Sequence, residues 1–391
     1  MSCPPATSPR RSRGPARPSG RGAPRWSTSW SHRCEARAVT PRALDGAARA
    51  PGFGRAGAAL LTCALLCLAP VLFARQALGA PGPIRVGYLG TSADAGIFIA
   101  LDKGYFAEQG LSISPERFGV GADQMALLGA GRLEVASGAP SPTLFNAIVR
   151  GLPVVVVADK GSLRKGFGFN VLVVRKALVD AGQFKALGDL RGRVLGSASP
   201  ASIVSFENYL ALKKGGLTPG DVTVEYLEFA DQPAAMANGK IDAAVMVEPF
   251  ATASESRGIG KMVMTFDQIL PDFQVSVIYY NTGWARAHPE DARRWMIAYV
   301  KALRYYNEAL RTREVRDDVI GIMTARTSIK DRAVWEKMIW PGLNPDGAVA
   351  VRGLLDYERW LLNGRQISEF VPAARFLDPS YVEHAVEILG R

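Results

Sequence analysis

The sequence predicts an α/β fold in two lobes with a ligand cleft between them. Three observations carry that expectation. Strand-like and helix-like stretches alternate from residue 84 onward, PVVVVAD (153–159) is a continuous apolar run, and the alternation restarts after the glycine-rich passage KGSLRKGFGF (160–169). Alternation of this kind builds sheets with helical crossovers. An uninterrupted apolar strand is buried on both faces, as in a parallel sheet. A restart after glycines marks a second sheet rather than a longer first one.

The elements follow in order. IRVGYLG (84–90) alternates Ile84, Val86 and Tyr88 and reads as a strand. Ser92 and Asp94 are the expected N-cap residues of a helix through AGIFIALDK, whose Ile97, Ala100 and Leu101 fall at i, i+3 and i+4. Gly104 stops that helix, YFAEQ makes one further turn, and Gly110 stops it again before the strand LSISPERF. Glycine takes a left-handed C-cap at little cost, so the two stops steer the chain back across the sheet. GADQMALLGAGR is a helix, LEVASG a strand and SPTLFNAIVRG a helix, leading into PVVVVAD.

Beyond the glycine-rich passage, NVLVVRK is a strand, FKALGDLRG a short helix, RVLGSA a strand and SIVSFENYLALKKGG a helix. VTVEYLEF, PAAMANGK and IDAAVMV follow as strand, helix and strand, and QVSVIYYN (274–281) is one more strand. The chain is then helical almost to its end. HPEDARRWMIAYVKALRYYNEAL is the longest helix, with Pro289 in its first turn and Glu290 and Asp291 against its dipole. The expected lobes are 83–168 for the first part of lobe I, 169–278 for lobe II, and 279–391 for the return to lobe I with the C-terminal helices.

The formal charge of +11 suggests a polyanionic partner until its distribution is followed. Residues 1–79 hold 12 of the 47 bases, all arginine, and only two acids, Glu35 and Asp45. The remainder carries 35 bases against 34 acids, scattered rather than striped, which leaves no footprint for nucleic acid. All four cysteines, Cys3, Cys34, Cys63 and Cys67, lie in the same N-terminal stretch. A body without thiols suits an oxidising compartment.

A leader agrees with that compartment. Arg49 and Arg55 precede the apolar run AGAALLTCALLCLAPVLF (56–73), and Ala77 and Gly79 supply small residues at the expected cleavage point near Gly79–Ala80. Residues 49–79 are therefore expected to be a signal peptide, which implies a periplasmic location. The rival is a retained membrane anchor, against which Pro70 and the small-residue exit argue. Residues 1–48 are rich in Arg, Pro, Ser and Gly without apolar periodicity. They read as a disordered basic extension, or as a stretch never translated, with Val39 as an alternative start.

Catalytic constellations are missing from the body. His288 and His384 are its two histidines, neither stands in a metal-ligand spacing, and no G-x-S-x-G or Walker A sequence occurs. GVGADQ (119–124) misses a dinucleotide fingerprint at Gln124 and reads as a helix start capped by Asp123. No enzyme activity, cofactor or metal is expected. Three loops suit binding instead: TSAD (91–94), GAPSPT (138–143) and GSASPAS (196–202), each a set of small polar residues between a strand and a helix. Backbone N–H groups at helix starts, with hydroxyls beside them, receive carboxylate, sulfonate or nitrate groups.

IRVGYLG and GIFIALDKGYFAEQGLSI resemble the opening of type II periplasmic substrate-binding proteins of ABC importers. The branch is that for nitrate, sulfonate, taurine and thiamine-pyrimidine precursors. The segment A-x-x-K-G-Y-F-x-x-x-G-L is matched by Ala100, Lys103, Gly104, Tyr105, Phe106, Gly110 and Leu111. GRLEVASGAPSP, with Glu134 where Asp is usual, is similar to a second motif. Asp189-Leu190-Arg191-Gly192 is similar to a third, and IDAAVMVEPF, with Asp242, Glu248 and Pro249, to a fourth. The closing FLDPSYVEHAVEILG also resembles the family, so the likeness covers residues 83–391.

The resemblance implies the two-lobed fold, capture of a small ligand between the lobes, and delivery to a membrane permease by a monomer. A sensory protein of the same fold, signalling to a membrane receptor, is the alternative. The positions it implies for ligand contact are Ser92, Asp94, Ser141, Ser199, Ser202 and Glu248. Phe169 at the first crossing and Tyr279 at the second are candidates to stack on a planar ligand, beside Phe167, Asn170, Tyr280 and Asn281. Carboxylates at Asp94 and Glu248 would repel a simple inorganic anion, so the expected ligand is organic and carries N–H donors or a ring as well as an acidic group.

Overall fold

Two five-stranded sheets share ten strands between the lobes in a pattern that local sequence does not reveal. The computed structural model describes residues 82–390; the basic extension and the leader lie outside them. The strands are β1 (Ile84–Tyr88), β2 (Ile113–Arg117), β3 (Val135–Gly138), β4 (Val154–Leu163), β5 (Asn170–Arg175), β6 (Val194–Ser197), β7 (Thr223–Tyr226), β8 (Ala243–Val247), β9 (Gly260–Thr265) and β10 (Phe273–Asn281). Lobe I has the order β2-β1-β3-β10-β4 and lobe II the order β7-β6-β8-β5-β9. In each, three strands run parallel, and an antiparallel strand that arrives from the other lobe is inserted beside them.

The crossings are therefore the links from β4 to β5 and from β9 to β10. The first falls at 164–169, around the expected boundary. The second precedes Phe273, so the expected boundary at 278/279 lies inside β10. The passage expected as a glycine-rich link is partly strand, because β4 runs through Lys160 to Leu163 and pairs with Phe273 and Gln274 of β10. Gly161 permits this with φ 159 and with Phe169 packed where a Cβ would stand. β9 is an element absent from the sequence expectation. Its KMVMT is a short run at a sheet edge, paired on one side only with β5.

The two glycine stops appear as expected. Gly104 and Gly110 both take φ 72 and flank the single turn Tyr105–Glu108. The helix Ala95–Asp102 starts differently. A turn at Ser92–Asp94 precedes it, with Thr91 in the capping position and Asp94 answering from the third residue. Asp123 sits in the first turn of the helix Gly121–Gly129, whose capping position is Val120.

The long helix Pro289–Ala309 buries Trp295, Tyr299, Leu303 and Tyr306 against lobe I. The helix Val351–Asn363 packs on β10 and on the lobe II helix Ile203–Lys214. An aromatic chain follows that path: Phe145 meets Tyr357 at 6.4 Å, and Tyr357 meets Phe206 at 5.8 Å. Among the described residues no helix is long and apolar enough to cross a membrane.

Candidate functional site in the interlobe cleft

The loops that face one another across the lobes follow the carboxyl ends of parallel strands. From lobe I come the loops after β1, β2 and β3, and from lobe II the loops after β6 and β7. They enclose a cavity of about 50 Å³ that Leu89, Val120, Gly121, Ala122 and Ser141 line from one side and Ser199, Ser202, Ile203, Val204 and Phe229 from the other. Ligands of α/β folds sit at such strand ends. Sites occupied by small molecules usually measure roughly 300–1,000 Å³, so the lobes here stand closed on a small space. They meet beside it, since a Cβ on Gly119 of lobe I would run into the Glu228 carboxylate of lobe II.

Three helices begin at the cavity: Gly121–Gly129, Pro142–Val149 and Ile203–Lys214. Two of them open with residues that line it, Gly121 and Ala122 in one and Ile203 and Val204 in the other, while the third lines it with its capping residue Ser141, and no lining residue is charged. First-turn N–H groups lack intrahelical partners and carry the positive end of the helix dipole. A small anion between them would meet donors without meeting a cation.

The lobe II loop is held in shape by serines. Ser202 Oγ accepts from Ser205 N at 3.2 Å and donates to Ser199 O at 2.9 Å, and Ser205 Oγ donates to the same carbonyl at 2.9 Å. Ala201 between them adopts φ 52, a left-handed conformation that costs a residue with a Cβ about 1 kcal/mol. The Tyr357 hydroxyl donates to the Ala201 carbonyl and fixes it there.

Of the eight expected contact residues, Ser141, Ser199 and Ser202 line this one cavity, and the other five lie outside its lining. Asp94 is fully buried and turned inward. Its Oδ2 accepts from Gly90 N at 2.8 Å and Thr91 N at 2.9 Å, and its Oδ1 lies 2.8 Å from Lys160 Nζ. The carboxylate expected in the cleft is thus neutralised by a buried lysine and spent on shaping the β1 loop. Ser92 is buried beside it, its N–H donating 3.1 Å to the Glu248 carbonyl across the lobes, and its hydroxyl has no partner among the described residues.

Glu248 likewise has another task. Thr252 donates to it from Oγ1 at 2.7 Å and from N at 3.0 Å, and Ile339 N donates at 3.2 Å. Burial pushes its carboxyl above the usual range. With the Ser92 bond to its carbonyl, Glu248 ties lobe II to two segments of lobe I. Phe169 is 1% exposed and packs against Gly161. Tyr279 is equally buried, with its hydroxyl unpartnered. Both aromatics are crossing-strand core rather than a stacking platform. Phe167 approaches Gly342, and Asn281 caps the helix Thr282–Ala287 through Trp284 N at 2.8 Å.

Two further acids stand at the crossings. Asp159 accepts from Asn344 N at 2.7 Å and from Gly161 N at 3.0 Å, with the Gln274 amide as a third donor. Burial still raises it to about 6. Glu207, on the helix Ile203–Lys214, meets only the Asn170 amide at 2.8 and 2.9 Å, and burial raises it to about 8. Among the described residues no group of three His, Cys, Asp or Glu side chains could hold a metal ion.

Sequence reasoning missed Val120, Gly121, Ala122 and Phe229. The first three belong to GVGADQ, weighed as a dinucleotide fingerprint, whereas the useful signal was simpler: another strand followed by a glycine-started helix.

Residues 79–323 match the NMT1-like family. A candidate binding protein of Brucella abortus is 30% identical over 166 residues, 41% of this chain and 47% of that protein, so the chain matches about half the length of its curated relatives. Among solved structures, a ligand-binding component of an ABC-type import system from Staphylococcus aureus superposes with TM-score 0.65 at 19% identity, covering 77% of this chain and 98% of that one. The alkanesulfonate-binding protein SsuA from Xanthomonas axonopodis pv. citri, bound to MOPS, gives 0.62 at 18%, covering 77% and 99%. The desulfurization enzyme DSZB gives 0.55 at 17%, covering 78% and 99%. At these identities the likeness is one of fold, and that fold serves both binding proteins and an enzyme.

Proposed function

The chain belongs to the NMT1-like family, and we propose that it is the periplasmic solute receptor of an ABC-type importer, capturing a small organic anion between its lobes. The observation that carries this reading is the convergence of three helix starts on one interlobe cavity whose lining has no charged side chain. First-turn N–H groups, with the hydroxyls of Ser141 and Ser199, would receive the acidic group. Leu89, Val120, Ile203, Val204 and Phe229 would cover an apolar body. The alkanesulfonate named for one structural relative has that chemistry. Engagement of Asp94 and Glu248 elsewhere in the fold argues against a ligand chosen for its ammonium or N–H groups. Capture rather than turnover fits a cavity that offers no nucleophile–base pair, and the closed lobes would present the ligand to a membrane permease.

A thermal-shift series on protein stripped of carried-over ligand tests the reading, with alkyl and aryl sulfonates, aromatic carboxylates, nitrate and aminopyrimidines as the panel. Organic anions should stabilise in proportion to the logarithm of their concentration, by about 2.7 kcal/mol at a hundredfold excess over Kd. A response confined to aminopyrimidines would overturn the anion, and consumption of a bound ligand would overturn capture.

A further inference from the structure

Behind the cleft, one side chain packs on both halves of the candidate site. Phe145 and Phe206 are each the fourth residue of a helix that starts at the cavity, Pro142–Val149 in lobe I and Ile203–Lys214 in lobe II. The ring of Tyr357 is fully buried against them, its centre 6.4 Å from that of Phe145 and 5.8 Å from that of Phe206. Its own helix, Val351–Asn363, is seated on the second crossing. Gly353 lies too close to Phe273 of β10 to admit a Cβ, and Ala350 N, directly ahead of the helix, donates to Gln274 Oε1 at 2.7 Å.

A phenol buried in this way needs an acceptor, and the one it has is the Ala201 carbonyl. Ala201 stands between Ser199 and Ser202, which line the cavity, and holds φ 52. Two other described residues with a Cβ share a positive φ, Asp272 and Arg365, and neither lines the cavity. Such a conformation persists only where the surroundings enforce it. The peptide after Ala201 leads into the capping Ser202 and then the free first-turn N–H groups of the helix Ile203–Lys214. The conformation of Ala201 therefore sets the direction of those donors relative to Ser199.

We propose, on the reading of the cleft as an anion site, that Tyr357 is a positioning residue for the ligand: its hydroxyl holds Ala201 in the left-handed conformation that aims Ser199 and the N–H groups of the helix start at the anion. Because its ring rests on one ligand helix from each lobe, the bond to Ala201 belongs to the closed form of the cleft.

Tyr357→Phe removes the hydroxyl and keeps the ring. In calorimetric titration with 1-propanesulfonate, affinity should fall about three- to tenfold, the range of one lost hydrogen bond. Ala201→Gly, which takes a positive φ at little steric cost, should restore most of that loss in the Tyr357→Phe background. Hydrogen exchange followed without ligand supplies a second reading: Tyr357→Phe should speed exchange across 198–205 at least tenfold, and by more than in the helix Pro289–Ala309. Unchanged affinity in Tyr357→Phe, a loss that Ala201→Gly leaves unrepaired, or exchange that rises no more at 198–205 than in that helix would overturn the role of Tyr357. If 1-propanesulfonate fails to bind the unaltered protein, the anion reading falls, and the exchange comparison still decides whether Tyr357 holds the loop.

Discussion

Asp94 and Lys160 are sealed together, with side chains 0% and 1% exposed, and neither reaches the cleft cavity. Removing one partner of such a pair strands the other charge, which costs about 3–5 kcal/mol. Lys160→Met should therefore lower the unfolding free energy by about that amount in urea denaturation, and Asp94→Asn combined with it should restore much of the loss. Glu207 makes a different prediction. Its ordinary value is 4.5 and its folded value about 8, so between those values the folded protein keeps a proton that the unfolded chain has lost. Stability must then fall as pH rises through that window, by about 1.4 kcal/mol per pH unit from this group. Urea titrations at pH 5 and pH 8 should show Glu207→Gln gaining on the unaltered protein at the higher pH; a constant gap would refute the assignment. At this scale the sequence was legible for residue type and not for role. Lys103, Glu134 and Asp242 carry the family motifs, yet each is an ion-pair partner within the fold, with Asp318, Arg85 and Arg175 respectively. Nothing local in Asp94 or Glu248 tells that a lysine 66 positions away or a threonine four positions away has claimed it.

Strand–helix pairs were the most legible elements, because an apolar period of two giving way to one of 3.6 is written in consecutive residues. The helix starts at Pro142 and Ile203 fall where small polar loops placed them. β9 escaped because a short edge strand needs little apolar length, and the extension of β4 through Lys160 escaped because its lysine is paired in three dimensions only. The loops after β2 and β7 carry a prediction of their own. Gly119 and Glu228 face one another across the closed lobes, so Gly119→Glu sets two carboxylates together and opposes closure. Ligand affinity should fall about two- to fivefold at low salt and recover as salt screens the pair. Adding Glu228→Lys should restore it. An unchanged affinity in Gly119→Glu at low salt would mean that ligand binding does not require these loops to meet.

The molecule as a whole exchanges strands between its lobes, β5 entering lobe II from lobe I and β10 returning. Composition and periodicity announced two lobes and a cleft, but the insertion of β10 between β3 and β4 is a long-range pairing that no window of sequence contains. Both crossings are braced. Asp159 and Gln274 join β4 to β10, and Gln274 Oε1 accepts from Ala350 N at 2.7 Å just ahead of the helix that reaches lobe II. Glu248 braces the lobes again through Ser92 and Ile339. Motion about such braced crossings would be a hinge that opens the small cavity and closes it on a ligand. A cavity built from helix starts and apolar walls, with the carboxylates of Asp94 and Glu248 withdrawn, should select an organic anion. Calorimetric titration of 1-propanesulfonate against taurine tests it most directly, since the two have the same length and differ by a methyl in place of an ammonium. Propanesulfonate should bind at least tenfold more tightly, about 1.4 kcal/mol. Equal or tighter binding of taurine would contradict it, and would put a carboxylate such as Asp94 or Glu248 back in contact with the ligand.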